Sequence, residues 1–281
     1  MEVKNGTITG DWLANICKES LSVVERAGDF IRSQVGQVGE SRIEEKSLNS
    51  LVSYVDKEAE QILVAGLSQI FPEAGFLTEE GTAVSAGSRP WQWIIDPLDG
   101  TTNFLYSLPC FAVSVALAYE GRPMIGMVYE VNQREMYHAW RGGGAFCYGR
   151  PIAGSRAGLL KDSLVATGYP YENYSTLSAH FSVTDRFQRS TRGIRRWGAA
   201  SVDLCYVACG RYTIFFENTL NPWDVAAGIL LVEEAGGKVS DFRGLCGDFS
   251  GREVLATNHL VHEEALGFVR AGFYPDDVRS M

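Results

Sequence analysis

The feature that most constrains the fold is a change of rhythm near the middle of the chain. Residues 111–119, 124–130, 135–140 and 145–148 are short runs rich in Val, Ala, Tyr and Met, separated by Gly-Arg-Pro, Asn-Gln-Arg and Arg-Gly-Gly-Gly. Runs this short, closed by turn residues, predict strands joined as an antiparallel meander. From residue 164 onward the pattern alternates: a strand at 164–169, a helix near 174–188, a helix at 199–208, a strand at 212–217 and a helix at 224–235. Gly236-Gly237 closes the last helix, as a C-terminal glycine should. A meander followed by alternation requires sheets layered with helices, an α/β (α+β layered) chain rather than an all-β sandwich.

The first part of the chain supplies two helices. Leu13, Ile16, Leu21, Val24, Ala27 and Ile31 recur with helical spacing over 12–35, and Val55, Ala59, Ile62, Ala65 and Leu67 do so over 51–70. The polar stretch 36–49 between them, carrying Glu44, Glu45 and Lys46, reads as a turn or hairpin. Phe71-Pro72 stops the second helix. A short strand at 75–77 runs into Glu79-Glu80, a small polar loop covers 82–89, and a strand at 91–95 delivers the chain to Asp96.

Charge narrows the functional classes. A formal net charge of -9 argues against a nucleic-acid partner, which selects for a basic face. No run approaches the roughly 20 apolar residues of a membrane span, and residues 1–10 are too polar for a signal peptide, so a cytoplasmic protein is expected. The six cysteines form no C-x-x-C pair and read as reduced core thiols, although Cys205 and Cys209 stand four apart on a helix. His259 and His262, followed by glutamates, read as a solvated helix start rather than a zinc site.

Chemistry concentrates in residues 95–104, Ile-Asp-Pro-Leu-Asp-Gly-Thr-Thr-Asn-Phe. Pro97 fixes its own φ and biases Asp96 toward extended backbone, so a stiff segment can aim Asp96, the Leu98 carbonyl and Asp99 at one point. Hard divalent cations take oxygen ligands, and free N–H groups at a turn or helix start take phosphate. Read alone, the two aspartates serve equally well as caps of a local turn. Glu79-Glu80 leaves a strand end as Asp96 does, with one side chain expected to point inward; Glu79 is taken as that one. Asn221-Pro222-Trp223-Asp224 opens a helix, where an acid is favoured by the dipole whether or not it binds anything. Trp223 is placed to wall a pocket, and Ala226, Ala227 and Gly228 to let another backbone approach.

Residues 95–104 and 223–237 resemble the two signature segments of the inositol monophosphatase family, magnesium-dependent and lithium-sensitive phosphomonoesterases, and the resemblance runs over nearly the whole chain. It implies an αβαβα sandwich and one catalytic domain over 1–281, with approximate halves 1–155 and 156–281. It implies that Glu79, Asp96, the Leu98 carbonyl, Asp99 and Asp224 hold two or three Mg²⁺ ions. Gly100 and Thr101 would then hold the phosphate, with Asp56 hydrogen-bonded to Thr101 and Lys46 near the family's lysine. Thr78 departs from the pattern, since a glycine often precedes the acid pair. The family also implies a homodimer.

With these groups converged, the reaction is hydrolysis of a phosphate monoester by a metal-activated water. No Cys, Ser or His nucleophile is needed. Glu217, seven residues before Asp224, matches the glutamate of inositol-type members, and Gly198, Ala199 and Ala200 match the small segment beside the ring, Ala200 being the expected contact. Together these point to a small phosphorylated polyol, inositol monophosphate first. The alternatives are 3'-phosphoadenosine 5'-phosphate, a fructose bisphosphate, or, through Arg195 and Arg196, an inositol phospholipid headgroup. From another class, a catalytically silent cation-binding scaffold remains.

Overall fold

The structure is a computed structural model that describes residues 8–39, 43–47, 50–82, 89–170, 174–247, 250 and 252–276, with backbone alone for residues 43–47, 50 and 51. Helix α1 (Gly10–Ser33) starts at Thr9, whose hydroxyl accepts from the Trp12 amide, and buries a stripe running from Leu13 through Ile16, Val24 and Ala27 to Ile31. Strands β1 (Ile43–Ser47) and β2 (Ser50–Ser53) form an antiparallel hairpin, so the polar stretch is the hairpin expected. Its last residue, Ser53, caps α2 (Tyr54–Ile70) in a box with Asp56. The second helix therefore starts three residues later than its apolar spacing suggests, because Leu51 to Ser53 belong to the hairpin.

Strands β3 (Gly75–Thr78) and β4 (Trp91–Asp99) run parallel. After the short helix α3 (Thr101–Leu105) come β5 (Ala112–Tyr119), β6 (Arg122–Glu130), β7 (Glu135–Trp140), β8 (Gly144–Cys147) and β9 (Arg150–Pro151). They complete a seven-stranded sheet in chain order, antiparallel from β4 onward. The remaining elements are β10 (Val165–Thr167), α4 (Leu177–Ser190), β11 (Ile194–Arg195), α5 (Ala200–Ala208), β12 (Ile214–Asn218), α6 (Pro222–Glu234), β13 (Lys238–Ser240), β14 (Glu253–Thr257) and α7 (His262–Phe273). The second sheet has the order β11-β10-β12-β14-β13, parallel around β10 and antiparallel around β14.

Three cores define five layers. Helices α1 and α2 pack on one face of the large sheet, through Ile16, Val24, Leu63, Trp93 and Met127. Helices α5 and α6 fill the space between the two sheets, where Val202, Leu204, Ile229 and Leu230 meet Ala112, Val128 and Phe215. Helices α4 and α7 cover the far face of the small sheet with Val183, Phe187, Phe242 and Val269. The αβαβα order explains why β5 reads as an unbroken apolar run, since helices bury both of its faces. Contact across the middle is close: a Cβ on Gly126 of β6 would stand 2.7 Å from the Ala227 carbonyl oxygen of α6. Ala227 and its small neighbours thus let a backbone approach, as the sequence indicated.

No helix among the described residues is long and apolar enough to cross a membrane. Cys17, Cys110 and Cys205 are buried reduced thiols, Cys147 and Cys209 are half-buried, and Cys246 is exposed. His262 is not solvated: it is fully buried at the start of α7, its ring nitrogens 3.0 Å from Ser240 Oγ and Thr257 Oγ1.

Candidate active site

The first turns of α3, α5 and α6 and the ends of β3, β4 and β12 meet at one pocket of about 200 Å³. Its lining includes Glu79, Asp96, Leu98, Asp99, Gly100, Thr101, Ala200, Glu217 and Asp224, residues that lie far apart in sequence. A larger hollow, about 500 Å³, lies between α1 and α2, but only two acids, Glu19 and Glu73, line it and no Gly-Thr turn does. The smaller pocket is where the chemistry gathers.

Strand β4 is built to end there. Pro97 sits where its pairing with β5 slips between Asp96 and Asp99, a bulge that accommodates a residue with no N–H. Asp96 is 2 % exposed and accepts from the Leu98 amide at 2.9 Å. Gly100 follows with φ +88°, a left-handed turn, and a Cβ there would meet the Cys110 carbonyl oxygen at 2.9 Å. Helix α3 then begins at Thr101. It is too short for a large dipole, so what it offers an anion is the unpaired amides of its first turn. The Asn103 amide nitrogen, 2.8 Å from the Cys110 carbonyl and 2.7 Å from that of Trp197, ties this turn to the segment before α5.

The carboxylates act on one another. Burial pushes Asp96 well above the usual range, helped by the charges of Glu79, Asp99 and Asp224 and by a hydrogen bond with Glu79. Burial raises Asp224 to about 8, with Asp99 and Glu79 adding to it. Asp99 rises less, to about 6, because burial is offset by Ser201, whose amide and hydroxyl donate to Oδ2 at 2.7 and 2.5 Å. Asp224 Oδ2 also accepts from the Asn221 amide at 2.7 Å, so this acid is both the cap of α6 and a wall of the pocket.

Among the described residues no group of three or more His, Cys, Asp or Glu side chains is drawn together closely enough to hold a metal ion by itself. A cation bound among these acids would need water or substrate oxygens to complete its shell. The donor set is all oxygen, and acids this mutually repelling are satisfied by a cation or a shared proton. The residues present fit a hard divalent ion.

Asp56 is buried at 1 % exposure on α2, its Oδ2 accepting from the Ser53 amide and hydroxyl at 2.9 and 2.8 Å. Thr101 Oγ1 stands 3.0 Å from Asp56 Oδ1 and 2.9 Å from the Leu98 carbonyl, so its single hydrogen serves one of two acceptors. Glu217 lies over Gly168, where any Cβ would collide with its carboxylate; burial raises it to about 8 while the Arg196 charge opposes. Ala200 lines the pocket beside Gly198 and Ala199. Lys46 is on β1, and its side chain lies outside the described residues. Trp223 does not line the pocket: it packs against the central core, and its carbonyl accepts from Ser114 Oγ at 3.2 Å. A residue directly after the N-cap Asn221 and Pro222 turns toward the sheet rather than the opening.

Sequence reading also passed over four residues here: Ser201, Asn103, Glu60 and Asp203. Ser201 and Asn103 gave no signal, since a serine in a helix start and an asparagine in a turn are common anywhere. Glu60 is one helical turn beyond Asp56, and two acids at this spacing on a buried face repel unless something holds them. Asp203, 1 % exposed with Oδ1 unpartnered, is raised well above its ordinary value by burial and by Glu217.

A family model described as the inositol monophosphatase family matches residues 12–270. The chain belongs to the inositol monophosphatase family. It is 38% identical over 252 residues to the putative Nus factor SuhB of Neisseria meningitidis, covering 90% of this chain and 97% of that protein. It is 38% identical over 245 residues to the inositol-1-monophosphatase of Mesorhizobium japonicum, covering 87% and 92%. The crystal structure of the extragenic suppressor protein SuhB from Bartonella henselae superposes with a TM-score of 0.85 at 36% identity, covering 91% of this chain and 98% of that one. A Thermotoga maritima IMPase does so with a TM-score of 0.82 at 31% identity, over 90% and 96%. Membership in the inositol monophosphatase family supports a phosphatase and, in general terms, a metal-dependent one.

Proposed function

We propose that this member of the family is a magnesium-dependent phosphomonoesterase acting on inositol monophosphate of the myo-inositol 1-phosphate type, releasing inositol and phosphate. The observation that carries the reading is the convergence of Glu79, Asp96, Asp99 and Asp224 beside the Gly100-Thr101 turn. Two or three Mg²⁺ ions held by these acids and the Leu98 carbonyl would supply Lewis acidity to water and charge neutralisation at the phosphoryl and leaving oxygens.

The chain itself does the positioning. Amides at the start of α3 and the Thr101 hydroxyl receive phosphoryl oxygens, and Asp56 orients that hydroxyl. Lys46 is assigned to the same end. Ser201 holds Oδ2 of Asp99 and so fixes that carboxylate at the pocket wall. Glu217 and Ala200 face the polyol ring, the first accepting from hydroxyl groups and the second leaving room for carbon. In-line displacement then needs only alignment and electrostatic stabilisation.

Phosphate release from myo-inositol 1-phosphate, with and without magnesium and then with lithium, tests this. Release should require magnesium and fall with lithium, and Asp96→Asn and Glu79→Gln should each lose at least about 100-fold in kcat/KM, ~3 kcal/mol of transition-state stabilisation, with circular dichroism unchanged. A substrate panel with a sugar phosphate, adenosine bisphosphate and a phosphoinositide separates the related activities. If no ester is hydrolysed, the silent scaffold takes its place. Light scattering tests the homodimer.

The names of the SuhB relatives favour a second reading, a Nus-factor role. Such a role would survive Asp96→Asn. Full replacement of the wild-type chain by that variant in cells separates the two.

A further inference from the structure

The turn that presents Glu79 is held by a buried carboxylate of α2. Glu60 on α2 is 0 % exposed. Its Oε1 accepts from Thr78 Oγ1 at 2.9 Å and from the Thr82 amide and hydroxyl, both at 2.7 Å. Its Oε2 accepts from the Glu80 amide at 2.8 Å. Three of these donors share Oε1 and one meets Oε2, so the carboxylate is engaged on both oxygens by the same short segment.

All four donors belong to the residues flanking Glu79. The Glu79 amide itself donates to the Ile95 carbonyl of β4 at 3.2 Å. Backbone on both sides of Glu79 is therefore fixed, one side to α2 and the other to the strand that carries Asp96. Asp56 and Glu60 stand four apart on the same helix, so one rigid face sets both the Thr101 hydroxyl and the Glu79 turn.

We propose that Glu60 is a positioning residue for the metal site: it clamps residues 78–82 so that the Glu79 carboxylate is preset toward Asp96. This rests on the functional reading above, in which Glu79 is a metal ligand. Glu60→Gln keeps the size but turns an amino group toward at least one backbone N–H, replacing an acceptor with a donor. Partners that orient ligating carboxylates are worth roughly 10–100-fold in metal affinity.

The test is calorimetric titration of the full-length, metal-free chain with Mg²⁺, together with hydrogen exchange at the Glu80 and Thr82 amides. Glu60→Gln should bind Mg²⁺ roughly 10–100-fold more weakly, with faster exchange at both amides. The double variant Thr78→Val/Thr82→Val alters only half-buried or exposed side chains, keeps both backbone donors and should shift affinity in the same direction by less. Val269→Ala, buried in α7 on the far side of the small sheet, serves as a control for general loosening and should leave Mg²⁺ affinity unchanged.

Wild-type affinity in both clamp variants, or an equal loss in Val269→Ala, overturns the proposal. Should Glu60→Gln fail to fold, the double variant decides alone. A wild-type chain that takes up no Mg²⁺ brings down the functional reading as well, an outcome distinct from equal affinities.

Discussion

At the scale of single residues, Gly100 carries a double requirement. Its φ of +88° is open to glycine and costly to other residues, and the space a methyl would fill is already taken by the Cys110 carbonyl. Gly100→Ala should therefore cost about 2 kcal/mol or more, from the left-handed backbone and the displaced carbonyl together. Phosphate affinity should fall further than stability, because the turn that orients the first amides of α3 would open. Chemical denaturation and inhibition by inorganic phosphate measure the two separately; equal wild-type behaviour in both would show the turn to be dispensable. The motif around Gly100 was legible because its residue types are chemically narrow: acid, proline, acid, glycine, threonine. Asp203 and Ser201 were not legible, since their importance comes from what folding sets beside them.

At the scale of elements, periodicity was a good guide wherever an element was long. Helices α1 and α6 and the meander were readable because their apolar spacing spans many residues. Strands β11 and β13 were not, being two and three residues long, too short for any repeat to show. The end of the chain was misread at His262 for a related reason: flanking glutamates suggested water, whereas the ring turns inward between Ser240 and Thr257.

That burial has a pH consequence. Burial lowers His180 and His262 to about 4 from the ordinary imidazole value of 6.5, the positive Lys238 also acting on His262. Between these values the unfolded chain binds more protons than the folded one, so stability rises with pH in that window and is lost as pH falls from 6.5 toward 4. Each ring contributes at most about 3 kcal/mol at 1.36 per unit. Urea denaturation at pH 5 and pH 7 should show a steeper loss for wild type than for His262→Gln. Parallel losses would mean that His262 titrates normally in the folded state.

At the scale of the whole molecule, the distance between the two sheets is set partly by a missing side chain. Because β6 and α6 touch backbone to backbone at Gly126 and Ala227, a methyl at 126 would stand 2.7 Å from a backbone oxygen and must push β6 and α6 apart. Gly126→Ala should cost about 1–3 kcal/mol as an overpacked core substitution. It should also weaken Mg²⁺ binding, since α6 carries Asp224 while β4, in the same sheet as β6, carries Asp96. Denaturation and calorimetry on one sample check both; unchanged Mg²⁺ affinity would show that the sheets tolerate the shift without passing it to the pocket.

The acids of that pocket come from segments that only the complete fold assembles, and their charges oppose one another. Any divalent ion taken up there favours the native chain over the unfolded one by mass action. Scarcity of the ion would then shorten the protein's survival among proteases as well as slow its chemistry.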